Sequence, residues 1–337
     1  MPNPGVSGGE PLGYNSRMNL EWKQWLVTAL KMVAAVAVLF FVGRRFHADL
    51  ENLETDQLDL DVGWLIAAAG FYLLAMLPSA WFWRHVHGVF GYPMSLYAGI
   101  RAHFIGQLGK YVPGKAMAVI IRSHLVQPFG IPYGVSVITS FYEVFTGMTS
   151  GAIIAGIVYL FDPPGDLGLH FHPLAIGAVL IGLCGIPLIP GVFNFVIARM
   201  TENIQTVEEY RLPPMSFGTL VTGLLATGAG WWLQGLSVWA TLHAIVPNAP
   251  EFSLSVWAQC TAGIGFATVV GFALFFIPAG LGVREDVLKN LLSGMGAPAY
   301  IAIAVLLVRL TWVAAEAAFA ACTYWVRPAG ERSEPAG

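Results

Sequence analysis

Lys110, Lys115 and Arg122 stand around a Pro113-Gly114 pair inside very apolar sequence, and Arg284 and Glu285 follow a second break, Pro278-Ala279-Gly280, almost half a chain later. Basic side chains beside a broken helix suit the holding of an anion such as a phosphate or carboxylate. A break frees backbone N–H groups, and the start of the helix that resumes favours negative charge. In a bilayer such breaks survive only where protein or a water-filled cavity surrounds them. Two of them at corresponding places in two halves are the pattern of a transport site near the membrane midplane. The residues presented would be Lys110, Pro113, Gly114, Lys115 and Arg122 at the first break, and Pro278, Gly280, Gly282, Arg284 and Glu285 at the second.

Three further charges, Glu143, Arg309 and Glu316, fall inside long apolar runs. A charge at a helix centre costs about 2.5–3.5 kcal/mol on insertion scales, so each needs a partner, a cavity or a role. Glu143 and Arg309 lie at matching distances past their breaks, which predicts a buried pair between them. Coupling to ion movement, with Glu316 as a further candidate, is the other reading. Arg101 and His124, nearer the base of the first hairpin, read as side chains that snorkel to headgroups and set topology.

The elements that must position these residues follow from composition. The 337 residues are 56% hydrophobic and 11% charged, with a mean hydropathy of +0.65. Six runs, 25–43, 62–83, 133–161, 174–196, 217–246 and 298–326, approach or exceed the roughly 20 residues that cross a bilayer core. Lys and Arg favour cytoplasmic loops. Arg17 and Lys23 put the N-terminus inside, loop 162–171 carries neither residue, loop 199–216 carries Arg199 and Arg211, and loop 247–251 carries neither. Arg44 and Arg45 run against this scheme. For the tail with Arg327 and Arg332 to be inside, stretches 95–127 and 253–294 must return to the face they leave, from opposite sides. The fold expected is an all-α polytopic membrane helix bundle of about six full spans plus two oppositely oriented re-entrant broken hairpins in an inverted repeat, 62–161 and 217–326. Residues 21–326 would form a single membrane domain between disordered tails at 1–20 and 327–337, with the first apolar run retained as a span.

Other motifs carry less. The net charge of −3, with scattered basic residues, gives no footprint for nucleic acid. Cys184, Cys260 and Cys322 lie in apolar segments without metal-ligand spacing. Gly109 to Lys115 has most of a P-loop's spacing, yet Ala116 replaces the Ser or Thr that would hold Mg²⁺, and no strand precedes it. Nucleotide binding is rejected on that ground. His85/His87 and His170/His172 lack neighbouring carboxylates for a catalytic metal. Gly147 and Gly151 have the spacing of close helix packing within a bundle. Trp231 and Trp232 lie deeper than the Trp residues at the span ends and could line a lipid path.

The stretch GQLGKYVPGK from Gly106 to Lys115, with Arg122 downstream, resembles the first Pro-Gly motif of the lysylphosphatidylglycerol synthase/flippase transmembrane family, the membrane half of the multiple peptide resistance factor. PAGLGVRE from Pro278 to Glu285, followed by Gly296 and Arg309-Leu310, resembles the second. The resemblance covers about residues 20–326. Ala279 stands where the family often has Gly, and the run Lys115-Ala-Met-Ala replaces an acid common after the first motif. Full-length members add a soluble aminoacyltransferase domain, whose chemistry a chain ending at Gly337 is expected to lack. The resemblance therefore implies a flippase of the cell's inner (cytoplasmic) membrane, not an enzyme, moving a phospholipid or polyprenyl-linked headgroup between leaflets. No cofactor, metal or nucleotide is expected. Membrane lipids are the expected partners, and a homo-oligomer is compatible with the sequence. Competing readings are an intramembrane lipid-phosphate transferase or phosphatase using Glu285 or Asp286 as base, and a partner subunit without transport of its own.

Overall fold

Helix starts in this chain coincide with residues that satisfy the free N–H groups of a first turn. Asp61 accepts from the Gly63 and Trp64 amides at 2.8 and 3.4 Å, Ser95 from Ala98 at 3.2 Å and Ser216 from Thr219 at 3.1 Å. Pro298 opens the last helix, where its missing N–H costs nothing. The computed structural model describes residues 59–111, 117–164, 173–202, 212–273 and 282–326. Among these there are ten α-helices and no strand. They are α1 (Val62–Val89), α2 (Leu96–Gln107), α3 (Met117–Val126), α4 (Tyr133–Phe161), α5 (Pro173–Gly185), α6 (Pro190–Glu202), α7 (Phe217–Ile245), α8 (Leu254–Ala273), α9 (Val283–Leu291) and α10 (Pro298–Tyr324). A 3₁₀ turn, Leu108–Tyr111, follows α2.

Among the described residues four helices, α1, α4, α8 and α10, are long and apolar enough to cross a membrane, and a fifth span results if the pair Ala175–Leu188 and Pro190–Arg199, bent by 58°, is counted as one. Of the six runs expected from sequence, 25–43 lies outside the described residues. The run 174–196 is broken beside Pro187 and Pro190, which lack the N–H a continuous helix needs. The run 217–246 does form α7, 29 residues and about 44 Å long, but it is not among the helices whose composition suffices to cross. Its polar positions face protein. Ser237, Thr227 and Thr241 are buried, and α7 packs against α1, α4, α8 and α10.

Small residues allow these approaches, as expected where packing rather than hydrophobicity joins helices. A methyl on Gly230 would come within 2.8 Å of the Ala75 carbonyl, so α1 and α7 nearly touch along their backbones. Trp231 is buried, donates its indole N–H to the Gly147 carbonyl at 2.8 Å, and lies over Gly151. The Gly147/Gly151 spacing is thus used inside the bundle.

At both breaks the flanking helices fold back on one another. Gly109 meets the backbone of Ala118 so closely that a methyl would lie 2.6 Å from its nitrogen, and Gly106 abuts the Arg122 stem. Around the second break Gly263 of α8 faces Leu288 and Leu291 of α9 and Leu292 just past its end. The arms are unequal. At 12 and 10 residues, α2 and α3 are about 18 and 15 Å long, too short to cross alone. At 20 residues α8 reaches about 30 Å, while the nine-residue α9 reaches about 14 Å.

Candidate functional site

About two turns of α10 carry Arg309, Trp312 and Glu316, which the i, i+3, i+7 spacing puts on one face. Glu316 has no exposed surface. Its Oε1 accepts from the Tyr72 hydroxyl of α1 and the Lys110 ammonium, and its Oε2 from the Tyr111 hydroxyl at 2.9 Å. Lys110 also donates to the Tyr72 hydroxyl at 3.4 Å. The Tyr72 ring is held by Trp312, stacked at 4.2 Å between centroids. Trp312 is held in turn, since its indole N–H donates to Ser237 at 2.8 Å and Ser237 donates to the Ala68 carbonyl.

The second break enters the same cluster. Gly282 sits at φ 88°, a left-handed conformation that favours glycine, and starts α9. Its N–H donates to Glu285 Oε2 at 2.6 Å, and Glu285 Oε1 accepts from Arg309 at 2.9 Å. The Arg309 guanidinium lies 5.9 Å from the Tyr111 ring centre, which joins the two sides. Arg284 extends over the Trp312 ring at 5.0 Å. No ion pair ties Arg284 to a carboxylate among the described residues. Lys110 is paired but keeps 30% of its side-chain surface exposed. One junction therefore holds Lys110 and Tyr111 from the first motif and Gly282, Arg284 and Glu285 from the second.

Arg122 lies elsewhere. It donates to Glu143 at 2.8 Å, with the two side chains only 3% and 7% exposed. It also approaches His103 Nε2 at 3.5 Å and the Trp83 ring at 5.7 Å. Trp83 donates to Ser140 at 3.0 Å, and His87 bridges the Trp83 carbonyl and Thr139. The pair expected between Glu143 and Arg309 is thus corrected: each has a partner from its own half. The reason is the packing of the short arm after each break on the long helix that follows it, α3 on α4 and α9 on α10. The two pairs have the same form with charges exchanged, basic on the short arm in the first and acidic in the second.

Arg101 is also corrected. It does not reach for headgroups but is buried, donating to the Thr323 and Tyr324 carbonyls at 3.1 Å each. It closes the last turn of α10, where carbonyls lack helical partners. His124 approaches the Gln127 side-chain oxygen at 3.3 Å in an exposed position. Pro113, Gly114, Lys115, Pro278 and Gly280 lie outside the described residues. Tyr72, Tyr111 and Trp312 were not anticipated, although Trp312 shares its helical face with two residues that were.

Fold and site together define a multi-pass helical membrane protein whose two interrupted segments meet at a buried charged junction. The sequence model of the family described as the lysylphosphatidylglycerol synthase TM region matches residues 28–315, and the chain belongs to that family. A membrane function related to lipid follows from this membership. No curated protein matches the chain.

Proposed function

We propose that this protein moves an anionic lipid headgroup between leaflets, using the junction of the two breaks as the place where the headgroup's phosphate is held. One observation carries the reading: donors from both motifs, Lys110 and Tyr111 on one side and Arg284 on the other, converge within a single cluster. Such convergence is what a carrier needs to hand a headgroup from one half to the other. Arg284, over an aromatic ring and with no carboxylate pair among the described residues, is the cation an anion would meet. The reading includes two re-entrant hairpins entering from opposite faces in an inverted repeat. It also includes cytoplasmic termini and a place in the inner membrane. The close packing of α2 on α3 and of α8 on α9 supports the hairpins. The exchanged charges of the two Arg–Glu pairs support the repeat.

Transport is preferred to catalysis because Glu285, the base an enzyme would use, is engaged by Arg309 and by the first turn of α9. The test is reconstitution into sealed vesicles of phosphatidylcholine with a trace of tail-labelled phosphatidylglycerol. Label in the inner leaflet should become accessible to an external quencher faster than in protein-free vesicles. Equal rates with and without protein would sink the proposal.

A further inference from the structure

We infer that Glu316 competes with the transported anion for one set of donors and yields to it by taking up a proton, so that anion loading and proton binding are coupled. The inference rests on the translocation reading above. Tyr72, Lys110 and Tyr111 all donate to this one carboxylate. An ammonium and two hydroxyls are also what a phosphate would engage. While Glu316 is ionised it is itself the anion they hold, so an incoming phosphate must displace it.

Displacement alone would leave two anions side by side, one of them a fully buried carboxylate without its partners. A proton resolves the conflict. The carboxylate takes one proton from a hydronium ion, breaking one O–H bond there and forming one on the acid, and a neutral carboxylic acid and a water molecule result. Its hydroxyl can then donate to a phosphate oxygen. When a singly charged anion and one proton arrive together, the junction's charge does not change. The proton leaves as the anion leaves.

The titratable and charged groups around Glu316 among the described residues are Tyr72 of α1, Lys110 and Tyr111 of the 3₁₀ turn, Arg284 and Glu285 of α9, and Arg309 of α10. The neighbouring helices α2 and α7 meet α10 here through Phe104 and Ser237, which do not titrate. Glu285 is the other acid, but its neutralisation would strand Arg309 and release none of the three donors. Glu143 belongs to the separate Arg122 cluster.

The test uses the full chain in phosphatidylcholine nanodiscs, with tail-labelled phosphatidylglycerol as the probe and its affinity read across pH. In the wild type the affinity should fall, over some part of the pH range, by about tenfold per pH unit as pH rises, as one coupled proton requires. Glu316→Gln should bind the probe with a flat profile. Lys110→Arg, whose guanidinium does not titrate, should keep the wild-type slope and so assign it to the carboxylate. In sealed vesicles, proton movement read by a trapped pH dye should accompany wild-type lipid movement and be lost in Glu316→Gln. A flat wild-type profile, or an unchanged slope in Glu316→Gln, overturns the coupling while lipid movement still stands. No lipid movement by the wild type at any pH removes the translocation reading and this inference with it. If Glu316→Gln does not fold, the wild type and Lys110→Arg decide alone: matching one-proton slopes support the coupling, and flat ones overturn it.

Discussion

Replacing Glu143 by Gln should destabilise the bundle strongly, because the structure leaves Arg122 nowhere to turn. The two side chains are 3% and 7% exposed and meet at 2.8 Å, so solvent cannot take over the lost partner. Breaking a buried pair from one side costs about 3–5 kcal/mol. The expected loss lies near the lower end, since the Gln oxygen still accepts from the guanidinium. Replacing both residues by apolar ones of similar size, Arg122→Met with Glu143→Leu, should recover much of the loss, because buried ion pairs are often no better than well-packed apolar contacts. The Arg122 contact with the Trp83 ring at 5.7 Å is lost in either Met variant, which holds recovery about 1 kcal/mol short. Unfolding by SDS in mixed micelles, run on Arg122→Met, Glu143→Leu and the double, gives the coupling. The structure requires a coupling of about 2–3 kcal/mol, well beyond the roughly 0.5 kcal/mol scatter of independent sites. Additive effects would refute the pairing and the account of each half supplying its own partner.

Two further outcomes follow from the same geometry. Gly109→Ala should cost about 1–3 kcal/mol in the same assay by forcing α3 away from the turn after α2, whereas Gly134→Ala, with nothing within 4 Å, should be neutral. Arg101→Gln should lower stability by about 1.5–3 kcal/mol through its lost bonds to the end of α10, with Arg101→Lys in between. Equal behaviour of Lys and Gln there would mean that the cap contributes nothing.

That α2 and α3, and α8 and α9, are separate helices packed on one another was legible in outline, because Pro-Gly pairs between apolar runs are tolerated in membranes in so few settings. Arg309 and Glu316 were legible for a similar reason, as intramembrane charges that need an explanation. Tyr72 was not: a lone Tyr in a 28-residue apolar helix looks like packing until Glu316 is found beside it. The Glu143–Arg309 expectation failed for a geometric reason. Equivalent positions in two repeats are neighbours only when they lie near the axis relating them, and matching spacing does not supply that. The helix α7 was visible by length, while its central place was hidden, because the polar residues that lower its hydropathy are satisfied by other helices.

Whether donors from both breaks act on one anion is decided by a mutant cycle on lipid movement. Lys110→Gln, Arg284→Gln and the double variant would be compared in vesicles at one pH, with folding checked by thermal unfolding in detergent. Lys110 engages Glu316 and Arg284 lies over Trp312 within one cluster. Each single variant is therefore expected to slow movement of labelled phosphatidylglycerol substantially, and the double to be little slower than either, as for groups that act as a unit. Losses that multiply in the double would mean two independent sites. Unchanged movement in all three would mean that the junction holds the bundle together and carries no lipid.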